Sequence, residues 1–390
     1  MPNFMKKLSL IFSLLLIFSQ VNFAQNENDS VFIYFEKGVE AYAQGDAMGA
    51  ISLFERTIEL MGDGNYGDVP GRSWFLMGDC YRSINDLNMA EECFKKAEKN
   101  FREVNSLEVL GYVFKGYGDI LLSKGLTVES EKNYLESLNY FNDSTDIVAI
   151  GLVLNSLANI YLNQGDNQKA VQFFMEASRY YEAADLEMGR GEVNYGLGLA
   201  AANQGNNTEA ESYFIKAREH FIKANYRLGE GNVHYGLGVV WMNTGKNEAA
   251  IEENIRAIAI FKEFNFILGM GNAYSNLGLL AGNISSFDDA KIYNDSALIC
   301  FAQLNYIIGE GSVYLNYGAL SINTGEHNRA LEYYDKAIEL HTKAGYNLGI
   351  GKGYQGIATV ALNTGDNKKA EEAANKAIEY FELEIGRAHV

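Results

Sequence analysis

The chain has 390 residues, 47% of them apolar and 21% charged, a profile that excludes a disordered or collagenous polypeptide. Glycine is abundant at 39 residues while proline is nearly absent at 2, so these glycines do not serve the loops and linkers in which the two occur together. A formal charge of −18 excludes a general role at nucleic-acid phosphate or at an anionic lipid surface, both of which such a chain repels.

The first predicted element is a targeting segment. Lys6 and Lys7 precede the apolar run Leu8 to Phe18, which is too short to span a bilayer comfortably, and polar residues follow up to Ala24. This reads as a signal peptide over residues 1–24, with cleavage after Ala24, and removing its two lysines takes the net charge to −20. No second apolar run of membrane length follows, so no membrane insertion is expected after the leader and the rest is expected to be exported, periplasmic or at the cell surface. The three cysteines, Cys80, Cys93 and Cys300, are too few for a disulfide framework and read as small buried thiols, although Cys80 and Cys93 are near enough in sequence to meet across one hairpin.

From residue 29 onward the sequence repeats every 40 residues without a gap. Taking Gly71, Gly111, Gly151, Gly191, Gly231, Gly271, Gly311 and Gly351 as column 1, column 8 is glycine or alanine from Gly38 to Ala358, and column 20 is alanine in every copy except at Ser130. Column 15 is glycine in seven of nine copies, with Asn85 and Ser285 in the other two. Each copy predicts a helix over columns 1–14, a turn, and a second helix over columns 17–34. Glycine at column 15 ends the first helix because it takes positive φ at no steric cost. Asn225, Asn265, Asn305 and Gly345 at column 35 end the second, and Asp166, Asn206 and Asp366 sit where an N-cap belongs. Small residues at columns 8, 20 and 27 mark close helix approach, and larger ones such as Phe94, Phe174, Phe214 and Tyr334 at column 24 fill the core between them. One hairpin cannot bury such a face alone, so nine copies imply an all-α solenoid over residues 25–384, its first repeat near 29–68 and its last near 349–384.

Trp74, Met77, Gly78, Tyr81, Ala90, Phe94 and Ala97, with the same columns elsewhere, give the chain its resemblance to the tetratricopeptide repeat (TPR) family. The period is longer than that family's usual 34 residues and the proline after the second helix is missing, so it resembles the longer-period subtype of scaffolds and bacterial sensor ectodomains. The resemblance implies a right-handed superhelix of helix-turn-helix repeats whose concave groove binds a protein or peptide, and it implies that columns 2, 5, 9, 12 and 13 line that groove. Column 13 is then an unbroken ladder of Asn163, Asn203, Asn243, Asn283, Asn323 and Asn363, whose amides could grip an extended peptide backbone or could instead cap their own helices. Tyr195 and Tyr235, beside Asn155, Asn232 and Asn272, are the candidate aromatic anchors, with core packing as the alternative role. The family's clamp for acidic C-terminal tails is not expected, because Lys115 has Asp119 beside it, so a neutral or basic ligand fits better.

The glycine pairs at junctions, such as Gly189-Arg190-Gly191, resemble phosphate-cradling loops only superficially: none follows a strand and the pattern recurs from copy to copy. The five histidines fall in unrelated columns, and neither a metal motif nor a nucleophile elbow occurs, so no enzyme, metal or cofactor is expected. Residues 385–390 break the repeat and match the translation of a common sequencing-adapter read, which makes them a non-native tail. The expected function is a non-catalytic interaction scaffold; the alternative is the exported sensor ectodomain of a truncated signal-transduction protein, a histidine kinase, cyclase or DNA-binding regulator.

Overall fold

A computed structural model describes residues 30–388 apart from 63, 143 and 144, and side chains as far as 383. The leader read over 1–24 and the side chains of the tail read over 385–390 lie outside the described residues. Within them are eighteen α-helices and no strand. In chain order these are α1 (Ser30–Gln44), α2 (Ala47–Met61), α3 (Val69–Ser83), α4 (Leu87–Glu103), α5 (Leu110–Ser123), α6 (Thr127–Leu138), α7 (Ile147–Asn163), α8 (Asn167–Ala183) and α9 (Glu187–Asn203). The second half contains α10 (Asn207–Lys223), α11 (Arg227–Asn243), α12 (Asn247–Glu263), α13 (Ile267–Asn283), α14 (Phe287–Gln303), α15 (Ile307–Asn323), α16 (His327–Ala344), α17 (Asn347–Thr364) and α18 (Asn367–Ala388). The chain divides into two compact units, Met1–Tyr161 with Gln172–Gly189, and Leu162–Val171 with Arg190–Val390.

Helix length follows from the stop residues. Gly205 at column 15 has φ +78° and Asn225 at column 35 has φ +52°, a backbone that costs most L-residues about 1–2 kcal/mol. Asn85 and Ser285, the exceptions at column 15, adopt the same left-handed conformation at φ 65° and 63°. The Asp166 and Asp366 carboxylates each accept the amide of the third residue on, at 3.0 Å, as N-caps do, whereas Asn206 makes no such side-chain bond.

Packing inside each unit is a matter of rings against glycine. In the first unit the fully buried Phe94 at column 24 lies against Gly78 of its own copy and Gly116 of the next; a Cβ added at either glycine would come within 2.7 and 2.6 Å of the ring. In the second unit Phe214 lies in the same way between Gly198 and Gly236, and Tyr334 between Gly318 and Gly356. A second ring, at column 31, is clamped between the glycines of columns 1 and 39: Phe221 between Gly191 and Gly229, Phe261 between Gly231 and Gly269, Phe301 between Gly271 and Gly309. Tyr226, Phe266 and Tyr306 then meet these rings edge-on, with centroids 5.2–5.5 Å apart. The junction glycines therefore seat aromatic side chains, each of whose burial contributes roughly 2–3 kcal/mol.

Two copies depart from the pattern together. Column 24 is Asn254 and Asn294 instead of a ring, and column 6 of the following copy is Asn276 and Asn316 instead of glycine. Both column-24 amides are fully buried. Asn276 Nδ2 lies 3.4 Å from Asn254 Oδ1, and Asn316 Nδ2 lies 3.3 Å from Asn294 Oδ1 and donates to the Ser275 carbonyl at 2.9 Å. Loss of a ring is thus matched by loss of a glycine, and volume is nearly conserved. The three cysteines are free and buried.

Candidate functional site

In the second unit the first helix of each copy buries columns 1, 3, 7 and 8 almost without exception and leaves one side open. Because columns 2, 5, 9, 12 and 13 are spaced by three or four residues, they share that side. α11 packs beside α13, α13 beside α15, and α15 beside α17, so the open sides adjoin. Along column 2 run Glu192, Asn232, Asn272, Ser312 and Lys352; along column 13 run exposed asparagines. Between these polar edges lie Leu199, Val239, Leu279 and Ala319 at column 9, with Met242 and Ile322 at column 12, partly exposed. The face is an apolar strip between two polar rims, the form that an extended peptide or an amphipathic helix fits. Columns 9 and 12, which the resemblance places in the groove, are thus the apolar part of this face.

All six ladder asparagines, Asn163, Asn203, Asn243, Asn283, Asn323 and Asn363, are exposed in this second unit. The Asn203 amide lies 3.3 Å from Asn167 Oδ1, and that of Asn323 lies 3.5 Å from the Gly282 carbonyl, both in the preceding copy. The other four make no side-chain hydrogen bond among the described residues. None of these contacts closes a cap on the asparagine's own helix, and the amides are left with donors and acceptors to offer.

Tyr195 and Tyr235 are half-buried, so anchor and packing roles coincide. The Tyr195 ring lies 5.5 Å from that of Phe214, while its hydroxyl is pushed above the usual phenol range by burial and by the nearby Tyr235 and Glu192. The Tyr235 hydroxyl is raised by burial and is hydrogen-bonded to Asn276. Asn232 and Asn272 sit on the column-2 rim. Asn155, in the first unit, is buried, and its Oδ1 has no hydrogen-bond partner among the described residues. Glu192, on the same column-2 rim, is half-buried.

The corresponding face of the first unit is charged and internally satisfied. Asp79 receives the Tyr42 hydroxyl at 2.5 Å and pairs with Arg82; Asp119 pairs with Lys115 at 2.9 Å, receives the Tyr134 hydroxyl at 2.7 Å and lies 3.7 Å from Arg82. Burial acts against both carboxylates, yet the neighbouring cations and hydroxyls hold them below the usual range. Lys115 and Arg82 are committed to these acids, which leaves no free clamp for an acidic tail. Among the described residues no group of three His, Cys, Asp or Glu side chains could hold a metal ion, and no helix is long and apolar enough to cross a membrane.

Family profiles described as tetratricopeptide repeat match residues 71–101, 153–183, 195–263 and 310–382. No curated protein matches the sequence. Among solved structures, a Rap protein complexed with Competence and Sporulation Factor superposes with a TM-score of 0.67 at 14% identity, over 92% of this chain and 99% of that one. The apo form of the quorum sensor NprR from B. thuringiensis gives 0.70 at 13% identity, over 90% and 98% of the two chains. The Rap conjugation gene regulator of the plasmid pLS20, in complex with the Phr* peptide, gives 0.60 at 12% identity, over 91% and 95%. At these identities the likeness shows a shared fold.

Proposed function

The chain belongs to the tetratricopeptide repeat family, and from that premise we propose that it is an exported, non-catalytic scaffold that binds a peptide or a partner's helix. The observation that carries this reading is the open face of the second unit, an apolar strip flanked by column-2 polar residues and the column-13 asparagines. Exposed amides on one rim grip main chain without regard to side chains, and the strip takes up apolar ones. The Rap protein and the pLS20 regulator, which share the fold, were solved in complex with Competence and Sporulation Factor and with the Phr* peptide respectively. A net charge of −18 favours a neutral or basic ligand over an acidic one. Export to the periplasm or cell surface rests on the leader sequence.

The test is capture of an acetylated, amidated pool of random nonapeptides by the immobilised chain, compared with the triple variant Asn203→Ala, Asn243→Ala, Asn283→Ala. Saturable capture that drops about tenfold or more in the triple variant, at an unchanged melting temperature, is expected. Unchanged capture with a lowered melting temperature refutes the ladder.

A further inference from the structure

α16 shows how a second helix of this array is covered from outside its own copy. Tyr334, Ile338 and His341, at columns 24, 28 and 31, are spaced by four and three residues and so form one stripe. α17 lies on that stripe through Gly356, Gly353 and Gly349 in turn, each so close to its partner side chain that a Cβ has no room. Tyr334 and His341 are buried as a result, and Ile338 is half-buried. α18 repeats the stripe as Ala374, Ile378 and Phe381, but among the described residues the helix packed on α18 is α17, on the side of its own copy. Ile378 is therefore 54% exposed. Phe381 is half-buried against the single glycine Gly351, whereas Phe221, Phe261 and Phe301 of the same column are fully buried between two.

We propose that the stripe Ala374, Ile378 and Phe381 is a second docking surface, outside the groove, for a partner protein's helix that carries glycine opposite Ile378 and Phe381. The form of the occupant follows from continuity with the interface between α16 and α17: the columns are the same, isoleucine recurs at column 28, and column 31 again holds a ring. Column 24 differs, since Ala374 stands where α16 has Tyr334. A residue larger than glycine therefore belongs opposite it, by the same exchange of volume that Asn254 and Asn276 show. The charge of the occupant follows from the flank. Glu371 and Glu382, one and two turns away on the side of Ile378, are exposed and form no ion pair among the described residues. Two copies of α18 would bring these acids together, so the flank disfavours self-pairing and favours a helix that is neutral or basic along this edge. A repeat array keeps its outer end soluble with polar residues, and an exposed isoleucine beside a half-covered ring is instead what a partner covers.

The probes are acetylated, amidated peptides with the sequence of residues 345–364, which holds α17 and has lysine as its one charged residue, unchanged or with Gly356→Phe or Gly353→Leu. Hydrogen exchange of the full chain is followed as each peptide is added up to about 1 mM. Exchange over α18 is expected to slow about fivefold or more, at lower concentration with the Gly356→Phe peptide and not at all with the Gly353→Leu peptide. Ile378→Glu is expected to abolish the protection while keeping the melting temperature of the wild type, because Ile378 is exposed. The triple variant Asn203→Ala, Asn243→Ala, Asn283→Ala should be protected as the wild type is. No protection of α18, or protection that persists in Ile378→Glu, overturns the site. Protection lost in the asparagine variant places the peptide in the groove and also overturns it. Sedimentation of the chain alone that shows a dimer abolished by Ile378→Glu makes the occupant a second copy and overturns the partner helix.

Discussion

Replacing His341 by phenylalanine is expected to stabilise the protein at neutral pH and to remove a large part of its loss in acid. His341 occupies column 31, where Phe221, Phe261 and Phe301 stand in the preceding copies. It is fully buried, clamped between Gly311 and Gly349 just as Phe301 is clamped between Gly271 and Gly309, and its ring centroid lies 5.2 Å from that of Tyr346. Neither ring nitrogen has a hydrogen-bond partner among the described residues. Burial, with Lys352 as the nearby charge, lowers its pKa from 6.5 to about 4. The folded state thus holds the neutral imidazole while the unfolded chain takes a proton near pH 6.5. The stability that neutrality contributes is complete above that pH and is lost as the pH falls to about 4. The whole loss is about 3 kcal/mol, of which about 2 kcal/mol has occurred by pH 5. Two unpaired buried nitrogens add about 1–2 kcal/mol at neutral pH, which phenylalanine also removes. Urea unfolding of both proteins at pH 7.5 and pH 5, read by circular dichroism, measures the difference, and hydrogen exchange over α16 and α17 localises it, since neighbouring repeats can open separately. The gap between variant and wild type should widen by about 2 kcal/mol in acid. A gap that is the same at both pH values refutes the reasoning.

The remaining predictions concern how the repeats pack and end. Asn254→Phe alone should cost about 1–3 kcal/mol, because the new ring meets Asn276 where the rings of Phe94, Phe214 and Tyr334 meet Gly116, Gly236 and Gly356. Adding Asn276→Gly should restore it, with a coupling above about 1 kcal/mol in a double-mutant melting cycle; additive losses would disprove the compensation. Gly205→Ala should lower stability by about 1 kcal/mol through its positive φ. Asn225→Gly should stay within about 0.5 kcal/mol of wild type, and equal losses at the two sites in thermal melts would rule out the left-handed-stop explanation.

The helices were legible because their signals are local. A glycine or asparagine that must take positive φ announces a stop by its identity, and small residues recurring every 40 positions announce close contacts. The ladder from Asn163 to Asn363 was legible as a row of one residue type in one column. The pairing of Asp79 with Arg82 was not, because single charged residues in a chain with 50 acids carry no signal until the side chains they meet are known. Asn155 shares a column with Tyr195 and Tyr235, yet column membership says nothing about whether a side chain is covered or to which compact unit it belongs.

By itself the sequence determined the helix type, the 40-residue repeat, the stop positions and the small-large packing alphabet, all set by backbone sterics and by neighbours within a turn or two. Only the tertiary structure decided which ring meets which glycine, that Asn254 and Asn276 stand in for one such pair, and that Arg82 and Lys115 are consumed by Asp79 and Asp119. It alone paired Glu253 with His234 and Arg256. The cause is that desolvation and charge pairing depend on groups brought together from separate helices, and a repeat frame, identical from copy to copy, does not specify what each side chain meets there.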